Sequence, residues 1–234
     1  MRRYRYDLHT HSCLSPCGDN DMTPNNLVNM AALLGCEILA VTDHNTCRNA
    51  PAAVRVGEAA GVLVIPGMEL CTAEEAHVVC LFETVEAALA FDEYVAAHTM
   101  HIPNRPEIFG EQLILNERDE EIGRIDRLLI TATEISVNDV QALVASYGGA
   151  AFPGAIPPEA GFRAAELSGG ADRAAQLRLY PELQDMILLR DSDAHYLHLM
   201  QENMAQVELP ARTAGALLDV LRGCGPGRFL DVDP

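Results

Sequence analysis

The chain has 234 residues, 49% of them hydrophobic, and a formal net charge of −18. All 16 basic residues are arginine, and the absence of lysine excludes Schiff-base chemistry, a pyridoxal anchor and a P-loop. The acidity argues against long nucleic acid and against an anionic membrane surface, since both are gripped through cationic side chains.

In chain order, Tyr4 to Leu8 reads as a strand. Thr23 and Pro24 then start a helix that Gly35 ends, with threonine as N-cap and proline in the first turn. Cys36 to Val41 is a buried strand, Ala50 to Ala60 a helix, and Val62 to Ile65 a strand. Val78 to Phe82 follows as a strand, and Val85 to Ala97 as a helix. Residues 98–130 break this rhythm: a proline-bearing loop precedes Leu113 to Leu115 and Ile122 to Ile130, which flank a charged turn and read as a hairpin insertion. Alternation resumes with a helix from Val137 to Tyr147 and a strand from Ala150 to Phe152. A strand from Ala164 to Leu167, a helix around Ala171 to Leu179, a strand from Met186 to Leu189 and a final helix from Thr213 to Leu221 complete the pattern. Such alternation predicts one parallel α/β domain, a barrel more than an open sheet, because no glycine-rich turn follows the first strand.

The seven cysteines are odd in number and form no CxxC, which points to reduced thiols. No secretory leader follows Met1, and nowhere do 18 apolar residues run together. The expected location is the cytoplasm.

Histidines and acids fall at strand ends. The first strand runs into His9-Thr10-His11, the second into Asp43-His44-Asn45, the third into Pro66-Gly67-Met68-Glu69, and the strand at 186–189 into Asp191-Ser192-Asp193-Ala194-His195. In a parallel barrel these ends open onto one face. Two histidines one residue apart in extended chain point the same way, so one metal ion can take both rings. Glu69 is placed to bridge two ions, and Asp193 to complete a nitrogen–oxygen shell suited to zinc, manganese or iron.

These segments, in order, resemble the motifs of the PHP (polymerase and histidinol phosphatase) family, and Ser15-Pro16-Cys17-Gly18-Asp19 is similar to a stretch found in stand-alone phosphoesterases of that family. The resemblance implies a distorted seven-stranded β/α barrel, two to three divalent metal ions and phosphoester hydrolysis. It places His9, His11, Glu69 and Asp193 on a first ion, Glu69 and His77 on a second, and His44 and His195 on a third. Asp19 is the preferred loop ligand of the third ion, with Cys17 as rival.

One departure is evident. The family carries a further histidine after the strand placed at Ala150 to Phe152, in a Pro-x-His-like context, and this chain reads Phe152-Pro153-Gly154-Ala155-Ile156. The ten or so residues before Ala164 are too few for a helical crossover. The expectation is a break at Pro153–Gly154, with an omitted segment that holds the missing ligand.

The mechanism expected is attack on phosphorus by a hydroxide that bridges two ions, formed because metal binding lowers the pKa of water to about 7. The substrate would be a small phosphorylated molecule, a phosphomonoester or small nucleotide. Asp43 or His195 would protonate the leaving group. Arg48 or Arg190 would clamp the phosphate through its planar fork. The alternative is a non-catalytic module of the same family that keeps a partial metal site.

Overall fold

The computed structural model describes residues 1–154, 161–167, 172–202 and 204–230. In chain order its elements are β1 (Arg2–Asp7), α1 (Pro24–Leu33), β2 (Ile38–Val41), α2 (Ala50–Ala60), β3 (Leu63–Cys71), β4 (His77–Leu81) and α3 (Val85–Ala97). Then come α4 (Pro106–Phe109), β5 (Leu113–Leu115), β6 (Glu121–Arg124), α5 (Val137–Ser146), β7 (Ala150–Pro153) and β8 (Ala164–Glu166). The chain continues through α6 (Arg173–Leu179), β9 (Ile187–Leu189), β10 (Gln206–Leu209), α7 (Ala214–Leu221) and β11 (Arg228–Leu230). The start of α1 is as expected: Pro24 opens it and the Thr23 side chain accepts the Asn26 N–H.

Seven strands form a curled sheet in the order β11-β10-β1-β2-β3-β4-β7, and β8 pairs with β9 in a separate parallel ladder. The expected distorted seven-stranded barrel is met by a curled seven-stranded half-barrel of mixed strand direction. Only β1, β2 and β3 pair in parallel within the large sheet; β4, β10 and β11 each run antiparallel to a neighbour. β10 and β11 were not foreseen in the sequence. Residues 113–124 do form an antiparallel hairpin, but its second strand stops at Arg124 and does not reach Ile130. Among the described residues, no helix is long and apolar enough to cross a membrane.

Period-two alternation sorts each strand between two cores. Tyr4, Tyr6 and Leu8, Ile38 and Ala40, Ile65, Val79 and Leu81, Ala150 and Phe152, Ala164 and Leu189 pack together on the concave side with α7. The intervening residues, such as Leu39, Val41 and Val64 or Met68, Val78 and Cys80, face outward to helices. The inward columns continue past the apolar layer to polar residues at one end: Ile65 leads to Glu69, Val79 to His77, Ala164 to Glu166 and Leu189 to Asp191.

The β8–β9 ladder is stitched to the main sheet at that same end. Leu8 N–H donates to Asp191 Oδ1 at 2.6 Å, Ser192 N–H donates to Asp7 Oδ1 at 3.0 Å, and His11 N–H donates to Ala194 O at 3.0 Å. These bonds bring the 191–195 segment alongside the end of β1.

The interruption expected at Pro153–Gly154 is not met. Pro153 pairs with Val78, and Gly154 N–H carries the ladder one step further by donating to His77 O at 3.0 Å. The connection that follows, 155–160, lies outside the described residues.

Candidate metal centre

Five strand ends deliver the donors. His9 and His11 leave β1 on the same side, and their Nε2 atoms face each other at 3.2 Å. Asp193 Oδ1 lies 3.4 Å from His9 Nε2 and 3.2 Å from His11 Nε2. Asp193 adopts φ 49°, a left-handed conformation that aspartate tolerates, and this turn swings its carboxylate over the cluster. Glu69, 5% exposed, lies 3.4 Å from both His9 and His11 through separate oxygens. It also lies 3.0 Å from His77 Nδ1 and 2.9 Å from His44 Nδ1. His195 stacks on His11 with ring centres 4.2 Å apart. His77 opens its strand, yet it belongs here because β4 runs antiparallel to β3 and so begins where β3 ends.

The opposite ring nitrogens are already engaged. Ser15 Oγ donates to Asp43, so His11 Nδ1, 3.0 Å away, supplies the proton between them and His11 Nε2 keeps its lone pair. His9 Nδ1 lies 2.8 Å from Glu166 Oε2, which turns its Nε2 toward the cluster. Glu166 is 3% exposed and was missed in the sequence, although Ala164-Ala165-Glu166 repeats the pattern of an apolar strand that ends in an acid.

The electrostatics fit a cation. Burial opposes ionisation of Glu69, but the charge of His9 and the bonds to His44, His77 and His9 hold it well below the usual carboxylate range. Burial and the neighbouring charges of His44 and His9 push His11 down to about 3. Burial also opposes charge on His9, yet Glu166 and Glu69 outweigh it and raise this imidazole. His44 Nδ1 is buried with Glu69 Oε2 2.9 Å away. Ring nitrogens that face one another around a shared carboxylate are what a set of metal ligands looks like. Three overlapping triads each gather ligand atoms within 4.8 Å of one another: His9, His11 and Asp193; His11, His44 and His195; His44, Glu69 and His77.

Four of the expected site residues lie outside the three donor triads. Asp43 is 1% exposed; its Oδ1 accepts from Ser12 N–H and Ser15 Oγ at 2.7 Å each, and its Oδ2 from Ser12 Oγ at 2.6 Å. It is an anchor of the 12–15 loop. Arg48 is committed to Asp92 on α3, with Nε 2.7 Å from Oδ2. Arg190 follows inward-facing Leu189, so strand alternation turns it to the other face. Asp19 Oδ1 accepts the Asp21 N–H at 2.9 Å, and Cys17 Sγ lies 3.2 Å from His44 Nε2. Burial raises the Cys17 thiol, but bonds with His195 and His44 overcome this and bring it down to about 7.

Phe152 faces the concave core, so Gly154 is the next inward position of β7; a Cβ there would lie 3.7 Å from both Glu69 Oε1 and His9 Cε1. β7 thus reaches the centre without offering it a donor.

An α/β sheet here gathers histidines and carboxylates at one edge, in groups that could hold metal ions. The chain belongs to the PHP domain family, whose model matches residues 7–201. It is 34% identical over 113 residues to the 5'-3' exoribonuclease Rnm of Salmonella typhimurium, a match that covers 46% of this chain and 37% of that protein. The chain therefore spans little more than a third of this curated relative. Among solved structures, the lesion-specific endonuclease PfuEndoQ from Pyrococcus furiosus shares the fold with a TM-score of 0.69 at 17% identity, over 100% of this chain and 60% of that one. Endonuclease Q in complex with a 27-mer duplex bearing an abasic lesion gives 0.70 at 17% identity, over 97% of this chain and 58% of that one.

These relatives overturn the exclusion of long nucleic acid drawn from net charge. An exoribonuclease and an endonuclease seen with a duplex are both similar to this chain. The physical reason is that net charge describes the whole surface, whereas bound metal ions set the sign of the field at a phosphate.

Proposed function

We propose that this chain hydrolyses phosphoester bonds with two to three divalent ions, zinc, manganese or iron, held by His9, His11, His44, Glu69, His77, Asp193 and His195. The observation that carries this reading is the convergence of those seven side chains from separate strand ends onto one cluster. Such ions, when bound, lower the pKa of water and neutralise charge on phosphate oxygens.

The residues of the chain then have distinct tasks. Glu69, with one oxygen toward His9 and His77 and the other toward His11 and His44, is placed to be shared between ions. Glu166 and Ser15 hold the Nδ1 atoms of His9 and His11, which aims both Nε2 atoms inward. Asp43 fixes the loop that carries Ser15. Neither Arg48 nor Arg190 is needed as a phosphate clamp, because that charge falls to the ions.

The relatives favour a nucleic-acid strand as substrate alongside the small phosphomonoester expected from the sequence. The test is a panel: an aryl phosphate, mononucleotides, and a 5'-phosphorylated RNA oligomer, each with protein reconstituted in zinc, manganese or iron. Metal-dependent turnover of at least one, lost on Glu69→Gln, is the expected result. Stoichiometric metal without turnover of any of them would favour the non-catalytic module.

A further inference from the structure

The loop between β1 and α1 brings two side chains against the histidines, the Ser15 hydroxyl at His11 and the Cys17 thiol at His44. Two successive turns shape this loop, with Ser15 N–H donating to Ser12 O at 3.1 Å and Gly18 N–H to Ser15 O at 2.9 Å. A Cβ at Gly18 would stand 2.3 Å from Ser12 O, so only glycine permits this turn. Ser15 Oγ bonds Asp43 and also accepts the His44 N–H at 3.2 Å, while Asp19 N–H donates to His195 O at 2.9 Å. Both sides of Cys17 are thereby tied to the segments that carry His44 and His195.

Cys17 Sγ lies 3.2 Å from His44 Nε2, and the backbone two residues on is bonded to His195 O. With a Zn–S bond of about 2.3 Å and a Zn–N bond of about 2.0–2.1 Å, two ligands of one tetrahedral ion stand roughly 3.6 Å apart. The observed separation is close to that span. His11, His44 and His195 bring ring nitrogens within 4.8 Å of one another. Asp19 Oδ1 accepts the Asp21 N–H at 2.9 Å.

We propose that Cys17 is a thiolate ligand of the ion held by His44 and His195, which makes this position a mixed sulfur–nitrogen site. The inference rests on the reading that the cluster binds divalent ions, and it specifies which ions this position takes. Thiolate favours zinc and ferrous iron, whereas manganese prefers oxygen donors. This position therefore selects a softer ion than the carboxylate-rich positions around Glu69.

Cobalt(II) tests this directly, because a cobalt–thiolate bond adds a sulfur-to-metal charge-transfer band in the near ultraviolet. The full chain would be stripped with chelator, titrated with cobalt, and assayed for bound metal in parallel. The band is expected in the natural sequence, in Asp19→Asn and in Cys224→Ser, and should vanish in Cys17→Ser with one fewer cobalt bound or at least about tenfold weaker binding at one position. Thiol-reagent counting gives a second readout. Cys17 and Cys224 are the two exposed cysteines, so two fast-reacting thiols in the stripped protein should fall to one on zinc addition. Cobalt bound without the band, a band that survives Cys17→Ser, or two thiols still reactive in zinc-loaded protein would overturn the assignment while leaving the metal centre intact. Failure to bind cobalt at all would instead overturn the proposed function, and this inference with it.

Discussion

Glu166 Oε2 lies 2.8 Å from His9 Nδ1, and both side chains are almost wholly buried. Their pairing turns His9 Nε2, 3.4 Å from both Glu69 and Asp193, toward the centre. A carboxylate behind a ligating imidazole fixes its tautomer and raises its basicity, and loss of such a partner weakens metal binding about 10–100-fold. Glu166→Gln keeps the volume and one acceptor oxygen but removes the charge. Its metal affinity, measured by competition with a chromogenic chelator, should fall within that range. An affinity equal to that of the natural sequence would show the contact to be packing alone.

Glu69 supports more of the cluster than any one histidine, since four imidazoles lie within 3.4 Å of its two oxygens. Glu69→Gln removes one negative charge from a site meant for cations and replaces an acceptor oxygen by a donor. Activity should drop roughly 100-fold or more, with less metal retained after gel filtration. His198→Gln, on an exposed residue outside all three donor triads, should leave both near their starting values. Comparable losses in the two variants would refute the assignment of Glu69.

Much of the centre was readable because the fold rule is simple: an apolar run that ends in a polar side chain places that side chain at a strand end. His9, His11, Glu69 and Asp193 followed such runs and do meet. Glu166 escaped because its strand is three residues long and mostly alanine, too weak a hydrophobic signal to single out its last residue. His77 looked out of place only while all strands were taken as parallel; its antiparallel direction depends on tertiary pairing that no local pattern encodes. Asp43 and Arg48 show the opposite error. Both are close in sequence to His44, but proximity along the chain does not say which face a side chain takes, and each is bound to an internal partner.

The role of Asp43 as an anchor leads to a stability prediction. It accepts three hydrogen bonds from Ser12 and Ser15 in a site closed to solvent. Asp43→Ala would strand those donors, at about 1–3 kcal/mol for a buried unpaired polar group and more where a charge had been the partner. We expect a loss of about 3 kcal/mol in urea unfolding of the chelated protein. Asp43→Asn, which keeps two of the three acceptor contacts in reach, should lose less. Equal stability of Asp43→Ala and the natural sequence would show that the loop is held by something else.

The last prediction concerns pH and metal together. Without metal, burial opposes charge on His44, but its bonds to Cys17 and Glu69 raise it to about 9. His77 is raised to about 10, first by Cys71 and then by Glu69. In an unfolded chain histidine titrates near about 6.5. A raised folded value means that the stabilisation is fully present below about 6.5 and is lost as pH climbs through the folded values. The chelated protein should therefore melt at a lower temperature at about pH 10 than at about pH 7. Metal ions displace those same protons, so metal affinity should rise across this window and each binding event should release protons into weakly buffered solution. The metal-loaded protein should consequently hold its melting temperature, or gain, where the stripped protein loses it. Parallel pH dependence in the two forms, or binding without proton release, would mean that His44 and His77 are not displaced by metal and lie outside the ligand set.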